Sequence, residues 1–130
     1  MKAATIISRI LFGLGFTIFG LNILHPFLPQ PPPPEGLVTQ FLTVMGPTHW
    51  MTLVGLVQLV GGILVLIGGT APLGLVLLGP VLVNILTFHI LLEGGQGIAP
   101  GLVFSVLEVF LIYAYRNNFR GIFTTSASPS

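Results

Sequence analysis

Four runs of apolar residues, separated by joints rich in glycine and proline, dominate the chain. They extend from about Ala4 to Leu24, Trp50 to Ile67, Pro72 to Leu92 and Ala99 to Tyr115. About 20 mostly apolar residues in a helix cross the hydrocarbon core of a bilayer. Backbone amides inside lipid must find partners within their own segment, so each run is predicted to be a helix. The pattern therefore predicts an all-α polytopic membrane protein, a bundle of four transmembrane helices within a single membrane domain, residues 1–123. The joints agree. Gly68-Gly69-Thr70-Ala71-Pro72 and Gly94-Gly95-Gln96-Gly97 are turn signals, and Pro100 suits the first turn of a helix.

The loop over residues 25–49 departs from the apolar pattern. Pro26, Pro29 and Pro31 to Pro34 make it stiff and extended. Leu37, Val38, Phe41, Leu42 and Met45 then recur at helical spacing, with Thr39, Gln40 and Thr43 on the other face. This predicts a short amphipathic helix, lying on the outer membrane surface or folded over the bundle. Thr124 to Ser130 is small and polar and is expected to be disordered.

Composition strengthens the membrane reading. Of the 130 residues, 53% are hydrophobic and 5% charged, and the mean hydropathy is +1.01. Soluble domains carry about 25% charged residues. A formal net charge of +1 offers no field for nucleic acid. The absence of cysteine removes disulfides, thiolate metal sites and thiol catalysis. Lys2 and Arg9 precede an apolar stretch, but the run is too long for an ordinary signal peptide and lacks a small-residue cleavage site.

Charge also orients the bundle. Lys2, Arg9, Arg116 and Arg120 fall on one side of four spans, whereas Glu35 and Glu93 fall on the other. The positive-inside rule places both termini in the cytoplasm and the proline loop outside. Trp50, Tyr113 and Tyr115 stand where interfacial anchors are expected. Gly13 and Gly20 in the first run, and Gly55, Gly61 and Gly62 in the second, provide small faces for close helix packing.

Polar residues inside the spans are the candidate site. Arg9, Gln58, Asn84 and Glu108 come one from each run and fall at similar estimated depth. A membrane charge faces the bundle and has a partner, so these four are expected to form one cluster. Such a cluster either joins the helices, or binds the polar head of an apolar molecule, a quinone or a lipid, or handles a proton on its carboxylate; alternatively Arg9 snorkels to the cytoplasmic surface. Toward the outer side, His25, His49, His89 and Glu93 form a second layer. Three imidazoles and a carboxylate suit a metal or haem iron, whereas a His89–Glu93 hydrogen bond would only close a helix end. No phosphate loop, zinc-protease helix or nucleophile elbow is present, and Ser105 with Glu108 does not make a nucleophile with its base. No catalytic residue is assigned.

The order of several short motifs resembles the DoxX family of small bacterial membrane proteins. They are Arg9 with Gly13, Phe16 and Gly20; Gln58-Leu59-Val60-Gly61-Gly62; Pro80 through Asn84 to Phe88-His89; and Tyr113-Ala114-Tyr115-Arg116 with Phe119. The resemblance runs from about residue 3 to residue 120. It implies a four-helix bundle in the bacterial inner (plasma) membrane and a link to redox biology. The family takes its name from a subunit of a thiosulfate:quinone oxidoreductase. Many relatives carry an acid where this chain has Gln58. The expected function is a non-catalytic membrane subunit or scaffold, holding a protein partner or a second copy of itself. The alternative is a quinone- or lipid-binding bundle around Glu108 and Gln58, with quinone as the implied cofactor. A small transporter is less favoured, because polar lining is sparse and no inverted repeat is visible. The scaffold predicts a tightly filled bundle, and the binding reading a cavity of about 300 Å³ or more beside Gln58 or Glu108.

Overall fold

The structure is a computed structural model that describes residues 2–130. The chain is all-helical: α1 (Lys2–Leu24), α2 (Leu37–Met45), α3 (Trp50–Ile67), α4 (Ala71–Leu91) and α5 (Ala99–Ala114), with a 3-10 turn at Arg116–Asn118. Helices α1, α3 and α4 are each long and apolar enough to cross a membrane. Helix α5 is equally apolar but has 16 residues, a length of about 24 Å at 1.5 Å per residue.

Four helices close into a ring. α1 packs on α3, α3 on α4, α4 on α5, and α5 returns to α1. Neighbours run antiparallel, because Gly13 lies against Gly62 and Leu66 while Gly20 lies against Gly55 and Leu59. The α1–α3 seam is the closest, and glycine is the cause. A Cβ at Gly20 would lie 2.7 Å from the Leu59 nitrogen, and one at Gly62 would lie 2.7 Å from the Thr17 nitrogen. Gly61 and Gly74 do the same between α3 and α4, where a Cβ at Gly74 would meet the Gly61 carbonyl at 2.6 Å. Small residues bring backbones together where lipid offers no hydrophobic drive for association.

Inside the ring Phe12, Phe16, Val65, Leu75, Leu78, Leu82, Leu111 and Phe119 are buried as one core. The outward faces are also apolar: Ile7, Leu53, Val83 and Val106 are among many exposed aliphatics. A water-facing surface carries no apolar girdle of this extent. Antiparallel packing sets the α1 N-terminus, the α3–α4 turn and the α5 C-terminus at one end, so Lys2, Arg9, Arg116 and Arg120 gather there. α2 lies at the opposite end. Its Val38 is buried, and Phe41 meets Phe88 of α4 edge to face with ring centres 5.2 Å apart.

Candidate functional site

The four polar residues expected to meet do not form one cluster. Arg9 is drawn to the end of α3, where its guanidinium donates to the Val65 carbonyl at 3.0 Å and to the Leu66 carbonyl. The Val65 carbonyl also accepts from the Gly68 N–H at 3.2 Å, and the charged arginine adds a strong cap at this helix end. The two carbonyls lie seven and eight residues beyond Gln58, about 11 Å along the axis. Asn84 is exposed, and its amide donates to the Pro80 carbonyl on its own helix at 2.9 Å. Glu108 is buried at 6% exposure with no hydrogen-bond partner on either carboxyl oxygen. Its nearest small neighbour is Gly79, where a Cβ would stand 3.5 Å from Oε1. No ion pair joins Arg9 to Glu108 among the described residues, because the arginine is spent on α3. Ser105 donates to the Gly101 carbonyl at 2.7 Å, so it is not turned toward Glu108 as a nucleophile.

The histidine layer is likewise not a metal centre. Among the described residues no three His, Asp or Glu side chains come close enough to hold an ion. His25 and His49 are exposed. Only His89 and Glu93 meet, with Nδ1 and Oε1 2.6 Å apart. The contact lacks the alignment of a hydrogen bond and leaves Nδ1 without one. The end of α4 is closed instead by the backbone, where Gly95 N–H donates to the His89 carbonyl at 2.7 Å.

Gln58 stands apart from all of these. It is 5% exposed, and its carboxamide makes no hydrogen bond with any described residue. Natively buried amides nearly always have partners, so a free one is informative. Gln58 borders two cavities. The first, of about 550 Å³, lies under α2 between α3 and α4, with Phe41, Met45, Trp50, Asn84 and Phe88 in its wall. The second, of about 330 Å³, is walled by Phe16, Phe19 and Phe104 of α1 and α5. Gln58, Ile85 and His89 belong to both. Arg9 and Glu108 belong to neither.

Sequence reasoning selected Gln58 and Asn84 as site residues but not the aromatic wall. Phe41, Trp50 and Phe88 come from three helices, and no spacing within one helix announces their meeting. Asn22 was also missed. It is buried and its Oδ1 accepts from the Phe27 and Leu28 amides, each at 2.9 Å, which turns the chain out of α1 into the proline loop.

Comparison with protein-family models, curated proteins and solved structures gave no match to this chain.

Proposed function

We propose that this protein is a four-span bundle of the bacterial inner membrane that binds an amphipathic small molecule, of quinone or lipid type, under α2 with Gln58 as its polar contact. The unpartnered carboxamide at the rim of a cavity of about 550 Å³ carries the reading. Ligand cavities span about 300–1,000 Å³ and are mostly apolar with a few placed polar groups. A scaffold that only holds a partner protein has no need of such a space, and for that reason the binding reading is preferred here.

The membrane placement belongs to the same proposal. α5 is short, but Leu102, Val103, Val106 and Val109 face outward as exposed aliphatics, and its antiparallel place in the ring sets it beside two span-length helices. Both termini lie in the cytoplasm, with the four cations on that side. α2 sits in the outer interface as a cover over the cavity. Membership of the DoxX family and a redox or quinone connection are consistent with this site and are part of the proposal. The role is binding and not catalysis by this chain alone.

Trp50 is the only tryptophan and lines the first cavity. Titration of detergent-solubilised protein with a short-tailed quinone is expected to quench Trp50 fluorescence saturably, and Gln58→Leu to abolish the saturable phase. Quenching that rises linearly and equally in both proteins would reject the site.

A further inference from the structure

The two cavities share Gln58, Ile85 and His89 as a common wall. We infer that they are the two halves of one site, taking an amphiphile with an uncharged polar head at Gln58 and a long apolar chain that passes Ile85 into the cavity of Phe16, Phe19 and Phe104. This rests on the binding reading above and adds the charge of the head and the path of the chain.

Among the described residues no Lys, Arg, Asp or Glu lines either cavity. Among the described residues His89 is the one ionisable side chain there, and its Nδ1 is already occupied by Glu93 at 2.6 Å. A charged head would be taken out of water with no opposite charge to meet it, which is expensive in an apolar site. The Gln58 carboxamide instead offers two donors and an acceptor, matched to a hydroxyl, carbonyl, ester or amide.

The two halves differ in polarity. The first cavity adds Asn84 to the shared polar residues, whereas the second has no polar side chain beyond Gln58 and His89. Its wall is aromatic: Phe104 meets the rings of Phe16 at 5.2 Å and Phe19 at 6.5 Å. Ile85 is the aliphatic side chain at the junction, so a bulkier residue there closes the passage and leaves the head position open.

The test uses native mass spectrometry of the full chain in detergent with added monoacylglycerols, uncharged amphiphiles of fixed head. Wild type is expected to retain the palmitoyl form about tenfold better than the octanoyl form, because more chain is buried. It is expected to retain palmitate, the charged analogue, about tenfold less well than monopalmitoylglycerol. Ile85→Phe is expected to keep octanoyl binding, which also reports an intact fold, and to lose the palmitoyl preference. A palmitoyl preference unchanged in Ile85→Phe, or equal retention of palmitate, overturns this inference while the binding site stands. Retention of no monoacylglycerol by wild type overturns this inference, and the binding site falls with it only where the quinone titration of Trp50 also shows no saturable phase. A second readout does not depend on the Ile85 variant. In protein carrying Trp50→Phe and Phe104→Trp, a chain brominated at its terminus is expected to quench the introduced indole more than it quenches Trp50 in wild type, and the reverse order would overturn the path.

Discussion

Glu108 and Gln58 are both buried polar residues without partners, yet their settings differ. Gln58 borders open space that a ligand can fill, whereas Glu108 is packed in the core and touches neither cavity. A buried polar group left unsatisfied costs about 1–3 kcal/mol, and more for a charged one. Glu108→Leu is therefore expected to raise the thermal unfolding midpoint in detergent by an amount worth about 1–3 kcal/mol, read by circular dichroism; a fall of that size would mean the carboxyl has a partner in the membrane. Arg9→Ala strips the cap from Val65 and Leu66 and is expected to cost about 1.5–3 kcal/mol in the same assay, with no change in ligand binding. At this scale the sequence revealed which residues were out of place in lipid but not what each one touches. Arg9 is long enough to reach either a carboxylate or a helix end, and only the position of α3 decides between them.

The helices themselves were legible because their signals repeat locally. Apolar runs bounded by Gly-Gly and Pro signals locate α1, α3, α4 and α5, and seven-residue spacings at Gly13/Gly20 and Gly55/Gly62 mark the α1–α3 seam. The seam gives a sharp contrast between two glycines. Gly20→Ala would drive a Cβ to 2.7 Å from backbone at Leu59, whereas nothing lies within 4 Å of a Cβ at Gly69. Overpacking costs about 1–3 kcal/mol, so Gly20→Ala is expected to lower the unfolding midpoint and Gly69→Ala to leave it in place. Equal effects would show that the seam is not the close contact described. The placement of α2 was less legible. Its amphipathic spacing indicated an apolar face, but both the membrane surface and the bundle can receive such a face. The Phe41–Phe88 contact turns it onto α4.

For the whole molecule, the up-and-down ring leaves its four cations at one end and α2 with the cavities at the other. The chain has no cysteine, so single cysteines report sidedness without background. In intact bacterial spheroplasts an impermeant maleimide is expected to label Gln96→Cys and to leave Ser126→Cys unlabelled until the membrane is opened. Labelling of both from outside would mean an even number of crossings between them, so that α5 does not span the membrane. The all-helical class and the three span-length apolar helices were readable from hydropathy. The divided cavity was not, because it arises from gaps between helices distant in sequence. The most direct measurement is the native mass of wild-type protein and Gln58→Leu extracted side by side in mild detergent. Wild type is expected to carry one bound amphiphile per chain and Gln58→Leu to be bare with its helical content intact. Bare wild-type protein, or the same adduct on both, would contradict a binding site built on Gln58.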